Sequence, residues 1–125
     1  MTYLDTHIAA QLCQGDVRRL SRQAKKLIDT DNDLRISPMV VLELEYLREI
    51  GKIRMPAAEI VRALHEDLAV RVCDVPFLRV ALQALAEGWT RDAFDRVILA
   101  QARMQKAKLI TRDEKVLRRY HLALD

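Results

Sequence analysis

The stretch Arg-Asp-Ala-Phe-Asp-Arg-Val-Ile-Leu-Ala-Gln-Ala, residues 91–102, places two carboxylates three residues apart at the start of an apolar helix. Positions i and i+3 share one face of a helix, so Asp92 and Asp95 can point to one side while the apolar residues face a core. A simpler explanation stays open: Asp92 can be an N-cap and Asp95 a first-turn acid, an arrangement worth about 1 kcal/mol. The choice depends on whether other acids follow strands elsewhere in the chain.

Composition predicts one soluble domain covering residues 1–125, long enough for a single core. The net charge of +3 permits a polyanionic partner without requiring one. Cys13 and Cys73 match no metal or redox spacing and are expected to be free thiols. No signal peptide, transmembrane run or lipidation motif is visible, so we expect a cytoplasmic protein without membrane contact.

Short apolar segments alternate with amphipathic helices along the chain. Strands are predicted at residues 2–4, 34–37, 68–73 and 109–111, with a possible edge strand at 122–124. Helices are predicted at residues 16–28, 38–50, 56–64, 76–88, 91–102 and 114–120, the fourth carrying Leu78, Leu82 and Leu85. This alternation indicates an α/β fold with a mainly parallel sheet covered on both faces.

Acidic residues follow two of the predicted strands. Asp5 and Asp113 come after strands, Asp95 begins the central helix, and Glu43 lies among apolar neighbours in an earlier helix. Ligands bind such sheets beyond the carboxyl ends of the strands, where the strand order reverses. Crowded carboxylates without His or Cys suit Mg²⁺ or Mn²⁺ and not zinc. Metal-assisted phosphodiester hydrolysis is the chemistry that such a set favours.

Four short motifs occur in a fairly specific order and spacing. They are Leu4-Asp5-Thr6-His7, Ser37-Pro38 through Leu42-Glu43, Asp92-Ala93-Phe94-Asp95-Arg96 with Ala100-Gln101-Ala102, and Thr111-Arg112-Asp113. Together they resemble the PIN-domain ribonucleases, in particular the VapC-type toxins of bacterial toxin–antitoxin pairs. The resemblance spans nearly the whole chain. Thr90 and Ala93 depart from it, since His and Pro are common at those positions in this subgroup.

The resemblance implies a PIN-like three-layer α/β/α sandwich with four to five strands. It also implies a Mg²⁺- or Mn²⁺-dependent endoribonuclease that acts as a toxin, forms a homodimer and is restrained by a cognate antitoxin. The implied catalytic acids are Asp5, Glu43, Asp92, Asp95 and Asp113, of which Asp5, Asp95 and Asp113 would hold the metal. Thr6 and Thr111 would be hydroxyls that orient the acids.

Other residues allow two explanations each. Arg96 and Arg112 could contact a phosphate or form surface salt bridges, and the histidines are expected at the surface or behind the acids. An RNA-facing rim is expected from the cations Arg103, Lys106, Lys108, Lys115, Arg118 and Arg119.

An antitoxin could use a groove beside Val40, Leu44 and Leu47, although a core role suits those side chains better. The alternative function is a catalytically inactive PIN-like module that binds protein or RNA.

Overall fold

The computed structural model describes all of residues 1–125 and contains a five-stranded parallel sheet flanked by seven helices. The strands are β1 (Thr2–Leu4), β2 (Leu34–Ile36), β3 (Arg71–Val72), β4 (Lys108–Ile110) and β5 (Ala123–Leu124). The helices are α1 (Thr6–Cys13), α2 (Arg22–Thr30), α3 (Pro38–Glu49), α4 (Ala57–Leu68), α5 (Phe77–Ala84), α6 (Ala93–Met104) and α7 (Glu114–Arg119). The predicted α/β/α sandwich is confirmed, and every strand pairing is parallel.

Burial of consecutive strand residues shows that helices cover both faces of the sheet. Neighbouring side chains in a strand point to opposite faces, yet Tyr3 and Leu4 in β1 are both fully buried. Leu109 and Ile110 in β4 are buried in the same way. The continuous apolar runs in these strands are therefore the result of a central, doubly covered position.

The order of the strands places a crevice beside β1. The order is β3-β2-β1-β4-β5, so the chain moves outward from β1 to β3 and then crosses back to β4 on the other side of β1. The strand order reverses between β1 and β4, and their carboxyl ends define the crevice expected of such sheets. The backbone N–H of Asp5 donates to the carbonyl of Ile110 at 3.0 Å, which joins the two strands where they end.

The sequence prediction missed α1 and misplaced the start of α2. α1 begins directly after Asp5, whose side chain accepts a hydrogen bond from the backbone N–H of Thr6. The helix predicted from residue 16 begins at Arg22, because the hydroxyl of Ser21 caps it by accepting from the N–H of Ala24. The strand β1 is only three residues long, so the chain turns from strand to helix without a connecting loop.

Two further predictions in the middle of the chain are wrong in detail. The strand predicted at residues 68–73 is reduced to two residues, since α4 continues to Leu68 and ends at Ala69 in the left-handed conformation. The helix predicted at residues 76–88 spans only Phe77–Ala84, and the three leucines noted in that segment, Leu78, Leu82 and Leu85, are 70%, 59% and 69% exposed. The buried side of α5 consists of smaller residues, Val80 and Ala84, which pack against Val97 and Ala100 of α6.

The tyrosine after α7 ties the end of this helix to the end of α6. Tyr120 is 3% exposed, and its hydroxyl lies 2.5 Å from the carbonyl oxygen of Ala107 and 3.2 Å from that of Ala102. These carbonyls belong to the segment that leads from α6 into β4. The hydroxyl therefore stabilises the approach to the strand that precedes Asp113.

None of the seven helices is long and apolar enough to cross a membrane.

We predict that Tyr120→Phe lowers the free energy of unfolding by about 1–3 kcal/mol, the usual cost of leaving a buried polar group without its partner. The ring stays in place, so the change isolates the hydroxyl. Tyr46→Phe is the matched control, because Tyr46 is 47% exposed and its hydroxyl makes no hydrogen bond. Urea unfolding of both variants measures the difference, and equal stabilities would contradict the assignment.

Candidate active site

An acidic cavity lies at the carboxyl ends of β1 and β4. It has a volume of about 420 Å³ and no hydrophobic side chain in its lining, which consists of Asp5, His7, Gln11, Glu43, Asp92, Asp95, Arg112 and Asp113. All five acids that the sequence singled out are among these residues. The fold thus gathers carboxylates that are up to 108 positions apart in the chain, from Asp5 to Asp113.

Three of these carboxylates are also helix N-caps. Asp5 caps α1, Asp92 caps α6 by accepting from the N–H groups of Phe94 and Asp95, and Asp113 caps α7 by accepting from Lys115 and Val116. Capping therefore describes Asp92 correctly, yet it does not exclude a site, because the three capped helix ends converge on one cavity. Backbone N–H groups fix one oxygen of each carboxylate, and the positive ends of the helix dipoles offset part of the charge.

Two buried threonine hydroxyls hold the acids in place. The hydroxyl of Thr111 donates to Asp5 at 2.5 Å and accepts from the backbone N–H of Asp113 at 3.1 Å. The hydroxyl of Thr6 donates to Glu43. Both threonines are fully buried, so these contacts are shielded from water. Each predicted orienting hydroxyl thus contacts an acid of the cavity.

The pKa of Asp95 shows that the carboxylates are crowded. An acid in the first turn of a helix is stabilised by the dipole, which on its own lowers the pKa. The pKa of Asp95 is instead raised to about 7 by burial and by repulsion from Asp92, Asp5, Asp113 and Glu43. Desolvation and like charge together outweigh the dipole at this position.

Asp5 and Glu43 respond to the same two effects. Burial is the largest cause of the raised pKa of each carboxyl. The hydrogen bonds from Thr111 and Thr6 act against it, because they stabilise the ionised form. Repulsion from neighbouring acids adds to burial: Asp113 acts on Asp5, and Asp5 and Asp92 act on Glu43. Without a cation the cavity holds more negative charge than its surroundings compensate.

The donor chemistry of the cavity fits a hard divalent cation. Its five acids offer only carboxylate oxygens, which Mg²⁺ and Mn²⁺ prefer, and no cysteine lines it. His7 does line it, so the expectation that no histidine accompanies the acids is wrong. No three of the His, Cys, Asp and Glu side chains stand in the geometry of a finished metal site. The cavity therefore provides the donors and the uncompensated charge for a cation without a closed coordination shell.

Only one arginine lines the cavity. Arg112 lies between Thr111 and Asp113 at its edge. Arg96, the other predicted phosphate contact, donates instead to the carbonyl oxygens of Ala84 and Leu85 and links α6 to the end of α5. We therefore assign Arg96 a structural role. None of the six cations of the expected rim belongs to the cavity lining.

Sequence reasoning missed two polar residues of the cavity. His7 and Gln11 lie one turn apart on α1, and both line the cavity. The Oε1 atom of Gln11 is buried without a hydrogen-bond partner. The signal that could have revealed them is the i, i+4 spacing on a helix capped by Asp5, but the sequence prediction contained no helix there.

The three side chains suggested as one wall of an antitoxin groove are buried. Val40 and Leu44 are fully buried and Leu47 is 8% exposed, so these side chains form the core face of α3. The exposed apolar residues of this helix region are Leu42, Tyr46 and Ile50. The core role that the sequence favoured for these side chains is therefore confirmed; their spacing alone left a groove open, because the buried stripe of an amphipathic helix and a binding groove share the same spacing.

Three solved structures with a similar fold come from toxin–antitoxin systems. A toxin–antitoxin complex from Klebsiella pneumoniae superimposes with a TM-score of 0.67 at 19% identity, covering 100% of this chain and 97% of that one. VapBC2 from Rickettsia felis, bound to a DNA fragment from its promoter, gives 0.64 at 18% identity, with 99% and 96% coverage. VapC20 from Mycobacterium tuberculosis, a toxin that cleaves the sarcin–ricin loop, gives 0.56 at 24% identity, with 86% and 85% coverage.

Sequence comparison adds the family. A comparison with curated proteins finds no match. The profile of the PIN domain matches residues 2–122, a range that includes the four strands β1 to β4 and every acid of the cavity and ends just before β5. The chain therefore belongs to the PIN domain family.

Proposed function

We propose that this protein is a Mg²⁺- or Mn²⁺-dependent endoribonuclease that acts as the toxin of a toxin–antitoxin pair. The observation that carries the proposal is the cavity in which Asp5, Glu43, Asp92, Asp95 and Asp113 converge. The similar structures named above support the toxin assignment through their fold. The M. tuberculosis neighbour, a toxin that cleaves the sarcin–ricin loop, supports RNA as the proposed substrate.

The acids divide into metal-holding and supporting groups. Asp5, Asp95 and Asp113 would hold the cation, since they come from the ends of β1 and β4 and from the first turn of α6. A Mg²⁺ or Mn²⁺ ion held by these residues would supply Lewis-acid stabilisation of a phosphoryl oxygen and would make water a better nucleophile. Thr111 keeps Asp5 and Asp113 at a fixed separation through its two hydrogen bonds.

Glu43 is the carboxylate best suited to accept a proton from the attacking water. It caps no helix, and only the hydroxyl of Thr6 is hydrogen-bonded to it. Its pKa is raised by burial, which brings a carboxylate closer to the range of an efficient general base. Arg112, which lines the cavity, can contact a phosphate oxygen of the bound strand and offset the negative charge of that phosphate.

The competing function is an inactive PIN-like module in which the acids serve only as caps. Caps alone explain Asp5, Asp92 and Asp113. They do not explain why Asp95 and Glu43 are held half-buried beside them with raised pKa values, an arrangement that costs stability in the absence of a cation. This cost favours the catalytic function.

The toxin proposal includes two protein partners. An antitoxin would direct a Lys or Arg side chain into the acidic cavity, where it replaces the metal as the compensating charge. A second copy of the chain would cover the outer face of α5, where Leu78, Leu82 and Leu85 are exposed. An apolar face of one helix can pair with its own copy across a two-fold axis, so a homodimer is the arrangement we propose.

RNA cleavage by the purified protein tests the proposed activity. We expect cleavage of RNA with Mg²⁺ or Mn²⁺, no cleavage after chelation, and a loss of at least about 100-fold in Asp95→Asn. The same ions should raise the melting temperature of the native protein and have little effect on Asp95→Asn. Cleavage that persists in the chelator, or full activity in the variant, would overturn the metal mechanism.

Charge crowding predicts how metal-free stability depends on pH. The pKa of Asp95 is raised from 3.8 to about 7, so the folded protein holds this proton more tightly than the unfolded chain does. The stability that the protonated carboxyl contributes is therefore fully present below about pH 4 and is lost as the pH rises to about 7. Thermal unfolding without metal should therefore show a falling melting temperature across this window. Asp95→Asn should flatten the fall, whereas Glu66→Gln, an exposed acid of α4, should not. Parallel curves for all three proteins would contradict the crowding.

Expression in bacteria tests the biological role. The chain produced alone should arrest growth, and Asp5→Asn should relieve the arrest because it removes an acid of the cavity. Soluble accumulation of both proteins must be compared by immunoblot. A native chain that accumulates in soluble form without slowing growth would favour the inactive module.

A further inference from the structure

A second polar hollow lies on the side of the molecule formed by the ends of α5, α6 and α7. Its volume is about 630 Å³, and its lining consists of Gln83, Ala86, Glu87, Trp89, Arg103, Arg118 and Arg119. It shares no residue with the acidic cavity. Three arginines and the single tryptophan of the chain thus meet at one place that the catalytic proposal does not use.

The floor of this hollow is hydrogen-bonded internally and carries no net charge. Glu87 is 3% exposed, and its carboxylate accepts from Arg103 at 2.6 Å and from the indole N–H of Trp89 at 2.6 Å. Arg103 also donates to the carbonyl of Arg119 and lies over the ring of Tyr120. Because the charges of Glu87 and Arg103 compensate each other, this pair fixes the position of Trp89 and leaves no excess charge.

The excess charge comes from two arginines at the end of α7. Arg118 and Arg119 are exposed, and neither side chain forms a salt bridge with an acid. The guanidinium of Arg119 lies over the indole of Trp89, with 4.8 Å between its central carbon and the ring centroid. The hollow therefore offers two positive charges and a flat guanidinium–indole stack to a ligand.

We propose that this hollow binds single-stranded RNA beside the scissile position, with a backbone phosphate on Arg118 and Arg119 and a base on the guanidinium–indole stack. Planar cations and aromatic rings are the surfaces on which unpaired bases stack. An acidic peptide would use the charges but not the flat surface. The inference rests on the proposed ribonuclease function.

The position of α7 supports the same strand reaching both sites. Asp113 at the N-terminal end of this helix lies in the acidic cavity, and Arg118 and Arg119 at its C-terminal end lie in the hollow. At 1.5 Å per residue, the six residues of α7, Glu114–Arg119, span about 9 Å. The acidic cavity repels neighbouring phosphates, so a cationic surface at this separation gives the rest of the strand a place to bind.

Intrinsic fluorescence can test the hollow directly, because Trp89 is the only tryptophan. The Asp95→Asn protein, which should not cleave, is titrated in Mg²⁺ with an unlabelled single-stranded RNA of mixed sequence. Binding is followed by quenching of the Trp89 fluorescence. The Arg118→Gln/Arg119→Gln double variant in the same background should bind more weakly. Its plot of log affinity against log salt should lose about 0.7 in slope for each phosphate contact removed.

Two further variants separate charge from stacking. Arg119→Lys keeps the charge but not the plane, so it should retain the salt slope and lose much of the quenching. Arg62→Gln removes an exposed arginine of α4 that lines neither site, and it should behave like the parent. Circular dichroism verifies the fold of each protein.

Several results would overturn the inference. They are unchanged affinity and salt slope in the double variant, an equal loss in Arg62→Gln, and quenching by poly-L-glutamate as strong as by RNA. The native protein is assayed for cleavage in parallel. Cleavage with unchanged binding in the double variant overturns only the hollow, whereas RNA binding through Arg118 and Arg119 without any cleavage supports the hollow and overturns the proposed function.

Discussion

Repulsion among the carboxylates at one edge of the sheet is the constraint on which the rest of the structure depends. Asp5, Glu43, Asp92, Asp95 and Asp113 line one cavity, and the pKa of Asp95 is raised by its burial and by repulsion from the other four acids. Such an arrangement is unfavourable in isolation, so the surrounding fold must hold it in place. The buried strands β1 and β4 do this, because they cannot move apart without exposing the centre of the core.

Helix capping and the acidic site use the same side chains. Asp5, Asp92 and Asp113 each accept backbone N–H groups at the start of a helix, so three helices begin at the cavity. A cap normally contributes about 1 kcal/mol to its own helix. Here it also fixes the direction of a carboxylate that is crowded by others. The capping and site interpretations of Asp92 are therefore compatible, and convergence decides that it belongs to the cavity.

The distribution of charge explains how one small surface can meet a polyanion. The net charge of +3 is unevenly distributed: an acidic cavity lies at one end of α7, and two uncompensated arginines lie at the other end. The cavity attracts cations, and the arginines attract phosphates. Glu87 keeps the arginine side ordered: it neutralises Arg103 and positions Trp89 beneath Arg119.

Local sequence patterns determined the fold class and the candidate acids. Acids after short apolar strands predicted Asp5 and Asp113, and the order of four motifs resembled the PIN domain, a family to which the chain proved to belong. The predictions of the fold class and of the family succeed because strand periodicity, capping and motif spacing depend on residues close together in the chain. The helix α1 was missed because it has only eight residues, too few to establish a helical period, and His7 and Gln11 were missed with it.

Tertiary structure alone decided which side chains meet and which way each helix faces. An apolar stripe has the same spacing whether it is buried or exposed, so the sequence could not show that Leu44 lies in the core while Leu82 faces solvent. Nor could it show that Arg96 binds carbonyls of α5 while Arg112, which also adjoins an acid, reaches the cavity. These outcomes depend on contacts between elements distant in the chain, and only the packing of α3, α5, α6 and α7 around the sheet creates them.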